Sequence, residues 1–251
     1  MNEDDLLKRK VLDTANQAFH HNIYTYTNFL SISELSVVAS MSRELSFIDY
    51  DIYGGNPVCE RQLIRFGSTA MYGYDAGYPI TTLKISPLSV KYAERLEHRD
   101  YLGALMNLGI ERELIGDIII KDYDAYLFCI SHIADYVCDN LDTIKHTHIC
   151  CTPCEEDVPE LRPELEDIRI IAASPRIDAV VAAITRLSRS NSGELFSSKK
   201  IFVNGQCTEN KSMRLKPDDI LVIRGTGKFI YIGDESETRK GRTYLTLRKY
   251  V

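Results

Sequence analysis

Two hydrophobic periods alternate along this chain, and the places where one gives way to the other divide it into three regions. From Asp4 to Phe29 helix formers dominate. A second helical run starts at Ser31-Ile32-Ser33-Glu34 and continues to Met41. A Gly/Pro/Tyr-rich stretch follows, with short strands expected at Phe47–Tyr50 and Gln62–Phe66 around the turn Gly54-Gly55-Asn56-Pro57. From Ile80 the period switches repeatedly. The pattern predicts strand Ile80–Ile85, helix Arg99–Leu108, strands Asp117–Lys121 and Ala125–Ile130, helix Ser131–Leu141 and strand His146–Cys151, with Ile168–Ala172 as a further strand. This βαββαβ order is that of a ferredoxin-like plait. Residues 155–167 hold seven acidic residues and two prolines, which predicts an exposed loop.

In the last third, apolar residues at 177, 180, 181, 184 and 187 give one buried helical stripe, with Ser174-Pro175 as cap and first turn. Ser188-Arg189-Ser190 opens another helix. Asn204-Gly205 between short apolar runs predicts a type I′ hairpin, and Lys216-Pro217-Asp218-Asp219 a turn into strand Ile220–Ile223. The reading is therefore an α+β chain in three parts: an N-terminal helical and mixed region (1–75), a central ferredoxin-like plait resembling an RNA-recognition motif (76–173) and a small C-terminal αα-β domain (174–251).

Composition refines this picture. The 251 residues are 44% hydrophobic, ample for real cores, and no run reaches the roughly 18 apolar residues needed to span a bilayer. The acidic start Met1-Asn2-Glu3-Asp4-Asp5 lacks the basic and apolar blocks of a secretory signal, so a cytoplasmic location is expected. Seven cysteines, an odd number without framework spacing, point to reduced thiols. The net charge of −6 argues against a nucleic-acid partner until the chain is divided. Residues 1–175 hold 15 Lys+Arg against 28 Asp+Glu, net −13, whereas residues 176–251 hold 15 against 8, net +7. Such asymmetry marks a module that meets polyanions.

The candidate RNA contacts are accordingly Arg176, Arg186, Arg189, Lys199, Lys200, Asn204, Lys211, Arg214, Lys216 and Lys228. Arg189 leads, because exposed N–H groups and the helix dipole at a helix start already favour a phosphate. Other motifs dissolve on inspection. In His98-Arg99-Asp100 the following Asn107 lies at the wrong spacing for a kinase loop, and Gly225-Thr226-Gly227-Lys228 is too short for a P-loop and reads as a hairpin turn. Arg99 and Arg112 could each touch phosphate, and Arg112, between Glu111 and Glu113, reads equally as a surface ion-pair partner. His146, His148, Cys150, Cys151 and Cys154 offer zinc-type ligands, but a lone CxxC favours a metal-free strand. Tyr126 and Phe128 share a strand face without the basic-aromatic pattern of RNA-stacking sheets, so core packing is expected of at least one. No catalytic residue, metal or cofactor is expected.

Two resemblances sharpen the reading. Arg176, Asp178, Ser188, Arg189, Leu195, Phe196, Ile201, Val203, Asn204, Gly205, Lys216, Pro217 and Asp219 match in register the small RNA-binding domain named after the fourth small-subunit ribosomal protein. Ser192, Lys199 and Asp218 depart from it, the last two at positions where glycine is usual. The stretch from His98 to Ile118, with Tyr53-Gly54-Gly55 and Glu60-Arg61, resembles the YlmH family, with Cys59 in place of that family's alanine. That resemblance implies a cytoplasmic, monomeric, non-enzymatic RNA-binding protein that meets rRNA or tRNA on the large ribosomal subunit, with rescue of obstructed peptidyl-tRNA complexes as a role of some members. The competing readings are an RNA-modifying enzyme, pseudouridine synthase or methyltransferase, and a protein interaction scaffold.

Overall fold

The computed structural model describes residues 3–154, 161, 165–237 and 242–250, which fall into two compact units, Met1–Arg162 and Pro163–Val251. The first unit opens with α1 (Glu3–His21), acidic at its start and carrying His20 and His21 in its last turn, as the helix dipole favours. The helix is shorter than its composition predicts. Asn22 turns left-handed at φ 53°, and the β-branched and aromatic run after it forms β1 (Thr25–Tyr26) rather than further helix. α2 (Ile32–Ala39) is closed at its start by a capping box, with the Ser31 backbone N–H donating to Glu34 Oε2 at 2.7 Å. β2 (Tyr50–Tyr53), a few residues later than expected, and β3 (Leu63–Phe66) complete an antiparallel sheet of order β1-β3-β2. A single turn, α3 (Thr69–Tyr72), follows.

The central elements are β4 (Ile80–Pro87), α4 (His98–Asn107), β5 (Ile115–Lys121), β6 (Asp124–Ile130), α5 (Ala134–Asn140), β7 (Thr143–Ile144) and β8 (Thr147–Cys154). They build a five-stranded sheet of order β5-β6-β4-β8-β7 in which every neighbouring pair is antiparallel. One face is covered by the two helices, which bury Leu83, Ile85, Leu127 and Cys129 against Tyr101, Leu105 and Val137. Sequestered there, the Cys129 thiol is pushed up to about 12.

The opposite face is closed as well. Tyr126 and Phe128 are only 3% and 1% exposed, packed with Phe29, Cys59, Leu63 and Leu161. Neither ring is available to stack a base, which settles both as core residues. Two glycines permit this closeness: a Cβ on Gly55 would stand 2.5 Å from Phe128 Cδ1, and one on Gly116 2.8 Å from Phe29 Cε1. At the start of α4 Asp100 does capping work, accepting from the Glu97 backbone N–H at 2.8 Å and from Lys145 Nζ at 2.7 Å. Arg112 departs from expectation. It turns away from its acidic neighbours to donate to the carbonyls of Ile115 and Gly116, at 2.5 and 3.2 Å, because two backbone acceptors in a half-buried turn outbid solvated carboxylates.

The second unit comprises β9 (Leu165–Ala172), α6 (Ile177–Thr185), α7 (Arg189–Ser197), β10 (Ile201–Val203), β11 (Gln206–Cys207), β12 (Ile220–Ile223), β13 (Gly227–Glu237) and β14 (Thr243–Tyr250). Its sheet has the order β11-β10-β12-β13-β14-β9. Here the third region begins earlier than the sequence suggests. β9 does not extend the central sheet but pairs with β14 over eight positions, from Ala172↔Thr243 to Leu165↔Tyr250. Residues 165–167, expected in an acidic loop, are therefore strand; most of the remaining stretch from 155 lies outside the described residues. The reason is side-chain alternation: Ile168, Ile170 and Ala172 face the core that also holds Leu245, Leu247, Val180, Val181 and Phe196. The cap of α6 also differs. Arg176, not Ser174, occupies the N-cap position and makes no side-chain cap bond. The hairpin forms as its residues dictate, with φ 50° at Asn204 and 77° at Gly205. Lys199 and Asp218 adopt the left-handed conformation without glycine, at φ 54° and 69°.

Candidate nucleic-acid interface

The basic residues of the second unit gather around its helical pair. Three residues, 186–188, join α6 to α7, and Ser188 caps α7 by accepting from the Asn191 N–H at 3.2 Å. Arg186 occupies the left-handed C-cap of α6 at φ 56° and is exposed at the inter-helix turn. Arg189 is the first residue of α7, as expected; its side chain lies outside the described residues. Lys199 and Lys200, both exposed, end the helix and lead into β10. Lys211, exposed, reaches back over α7, its Nζ 3.1 Å from where a Cβ on Gly193 would stand. Arg214 is exposed and bridges the backbone of Arg176.

Not every expected contact is free for RNA. Arg176 is forked onto Asp178, with Nε and Nη2 each 3.1 Å from a carboxylate oxygen, and also donates to Ser212 Oγ at 3.3 Å. The Asn204 amide is spent on structure: Nδ2 donates to Asp219 Oδ1 at 2.8 Å, and Oδ1 accepts from the Ile220 N–H at 2.8 Å. That clasp locks the hairpin to the turn at 216–219, where Asp219 also accepts from the Lys216 N–H at 2.7 Å. Lys216 keeps an exposed side chain. Lys228 is separate from the group. It points from the sheet face opposite the helices, its ammonium 4.7 Å from the centre of the Tyr250 ring.

That outer face carries residues that the sequence reading passed over. The Arg169 guanidinium lies 4.2 Å over the Tyr244 ring and that of Arg224 lies 5.1 Å over Phe202. The available signal was the period-two run Tyr244, Thr246, Arg248, Tyr250, which puts aromatic and basic side chains on one face of a strand. The metal candidates are scattered. His148 and Cys150 are exposed on one face of β8, while Cys151 points into the core with its Sγ 3.7 Å from that of Cys138, and burial raises the pKa of both thiols. Among the described residues no group of three or more His, Cys, Asp or Glu is placed to hold a metal. No described helix is long and apolar enough to cross a membrane.

Comparison with known proteins adds three findings. Residues 76–157 match the family model described as "Putative RNA-binding domain in YlmH". The "Ribosome-associated protein quality control protein P2" of Bacillus subtilis (strain 168) is 28% identical over 172 residues, a match that spans 66% of either chain, just under two thirds of that protein's length. A solved structure, the cell division protein ylmH from Streptococcus pneumoniae, is similar with a TM-score of 0.51 at 15% identity, covering 61% of this chain and 92% of that one, and so shares its fold.

Proposed function

We propose that this chain, whose central domain is of the YlmH type, is a non-enzymatic RNA-binding protein that works on the ribosome, with the helical pair of its second unit as the principal contact surface. The observation that carries the reading is the set of exposed cations, Arg186, Lys199, Lys200, Lys211 and Arg214, around α6 and α7 in the one part of the chain that is net basic. Long basic side chains without base-shaped pockets neutralise phosphates and set orientation rather than read sequence, as binding to a structured RNA requires. The strand order β5-β6-β4-β8 with α4 and α5 on one face supports assignment of the central domain to the ferredoxin-like plait. The left-handed turns at Lys199, Asn204 and Asp218 support a C-terminal domain of the small-subunit ribosomal type. Since the plait has its sheet aromatics buried, RNA binding by stacking on that sheet is replaced by phosphate contacts from the second unit.

The finer role is part of the same proposal, and a relative named for ribosome-associated quality control supports it. The protein acts in the cytoplasm, as a monomer, on rRNA and tRNA of obstructed large-subunit complexes that still hold peptidyl-tRNA. The non-enzymatic reading is supported by the sequence of residues 1–175, which has no dinucleotide-type glycine loop, adenylate motif or catalytic aspartate loop. Sequencing RNA crosslinked to the protein in cells tests the whole proposal. Large-subunit rRNA and tRNA should dominate, with crosslinked peptides from residues 176–216. Recovery of no RNA above background, or of peptides from the first unit alone, would refute it.

A further inference from the structure

Two arginines of the first unit, from segments some fifty residues apart in sequence, meet on one backbone carbonyl oxygen. Arg61 donates from Nε to the Ile115 carbonyl at 3.0 Å and from Nη2 to that of Phe29 at 2.8 Å and of Arg112 at 3.4 Å. Arg112 donates from Nη1 to the same Ile115 carbonyl, so the two guanidiniums are neighbours on one oxygen. Neither forms an ion pair with any described carboxylate. The acids whose charge reaches Arg61 are already engaged: Asp117 Oδ2 accepts from the Glu60 and Arg61 N–H groups, and Glu34 Oε2 from the N–H and hydroxyl of Ser31.

Adjacent half-buried cations whose direct partners are carbonyls are unfavourable even with the Asp117 charge nearby. Burial, and then repulsion from Arg61, bring Arg112 down to about 10. Arg61 Nη1 and Arg112 Nε and Nη2 keep N–H groups that no described residue accepts. Both side chains line a cavity of about 750 Å3, within the range of small-molecule sites. Its other walls are mixed: Glu34, Glu113 and Asp13 offer acceptors, Asn28 offers both functions, and Tyr26 offers a ring.

We propose that this cavity binds a single ribonucleotide, its phosphate held by the Nε/Nη2 edge of Arg112 and by Nη1 of Arg61, and its ribose hydroxyls and base amino group donating to the carboxylates of the wall. The Nε/Nη2 edge of a guanidinium is the geometry that pairs with two phosphate oxygens, and a second cation beside it adds charge. The carboxylates of the wall match the hydrogen-bond donors that a nucleotide carries and inorganic phosphate lacks. The nucleotide is either free or the phosphorylated end of an RNA strand. The site is independent of the basic surface of the second unit.

Titration calorimetry on the full chain tests the site, with the four nucleoside monophosphates, the matching nucleosides, and a short RNA bearing a 5′-phosphate or a 5′-hydroxyl. The phosphorylated member of a pair should bind about tenfold or more tightly than its unphosphorylated counterpart. Arg112→Gln should abolish that preference, and Arg112→Lys, which keeps the charge without the fork, should restore part of it. Binding of monophosphates identifies a free nucleotide, and binding of the phosphorylated RNA alone identifies a strand end. Should Arg112→Gln not fold, amide exchange on the unaltered protein serves instead: the bound nucleotide should slow exchange at residues 28–30 and 112–116. The same titrations on an Arg189→Glu chain should be unchanged for monophosphates, which separates failure of this site from failure of the RNA-binding surface. No binding at millimolar concentration, no phosphate preference, unchanged preference in folded Arg112→Gln, or slowed exchange elsewhere would each overturn the proposal.

Discussion

Cutting the chain at residue 174 should unfold the second unit, whereas cutting it at 163 should leave it intact. The difference is β9. Its deletion removes Ala172, 4% exposed, and the half-buried Ile168 and Ile170, and it strips one flank from Leu245 and Leu247, which are both 0% exposed. At roughly 1.5–3 kcal/mol for each fully buried aliphatic side chain, two half-buried isoleucines and two partly uncovered leucines amount to about 4–6 kcal/mol. Losing the eight-position pairing with β14 adds to that, and it leaves β14 as a bare edge carrying Tyr244 and Tyr250. A small domain has about 5–15 kcal/mol in total, so the deletion takes a large part of it. Urea melts followed by far-UV circular dichroism on fragments 163–251 and 174–251 read this directly. The longer fragment should melt cooperatively, and the shorter should be unfolded, aggregated or shifted down by about 3 M urea. Coincident midpoints would refute the reasoning and return β9 to the status of a dispensable linker.

Three further outcomes are expected. Asn204→Ala should cost about 2–3 kcal/mol, because it removes both clasp bonds and forces alanine to φ 50°; Asn204→Gly should cost less, and a midpoint unchanged by Ala would show that the clasp is idle. Partial burial, then the nearby Arg112, hold His98 below its ordinary pKa, so the unfolded chain takes up the proton first. Stability is fullest above about pH 6.5 and is lost as pH falls through the folded value, and His98→Gln should flatten that loss in urea melts between about pH 7 and 5; an identical slope would contradict this. Lys228→Glu, on the sheet face opposite the helices, should lower RNA affinity far less than Lys199→Glu in filter binding, and equal losses would spread the interface over both faces.

The sequence was most legible where period and turn chemistry agreed. The central alternation, the helix start at Ser31 and the Asn204-Gly205 hairpin all formed where local pattern placed them, because each is decided by neighbours along the chain. What escaped was decided by partners far away. Ile168–Ala172 reads as a strand either way, and only Leu245 and Leu247, some seventy-five residues later, assign it to the second sheet. Helix composition ran on past His21, and the alternation of residues 23–27 won because β3 was there to pair with it. Arg112 illustrates the same limit in a site: flanked by glutamates it looks like a surface ion pair, yet the backbone of β5 and the Arg61 guanidinium set its partners. The basic module was visible in the charge division alone, but that Asn204 is a clasp and Lys228 lies on the far face depended on tertiary geometry.

The central claim is that the helical pair of the second unit carries RNA binding, and the affinity of Arg189→Glu for ribosomes at two salt concentrations tests it most directly. With the fold intact by circular dichroism, the variant should lose about 2 kcal/mol, roughly thirtyfold, and the dependence of log K on log salt should become shallower by about one, while Arg9→Glu, on an α1 residue 73% exposed, should do neither. Unchanged affinity at both salt concentrations in a folded Arg189→Glu protein would contradict the account and place the RNA-binding surface elsewhere on the molecule.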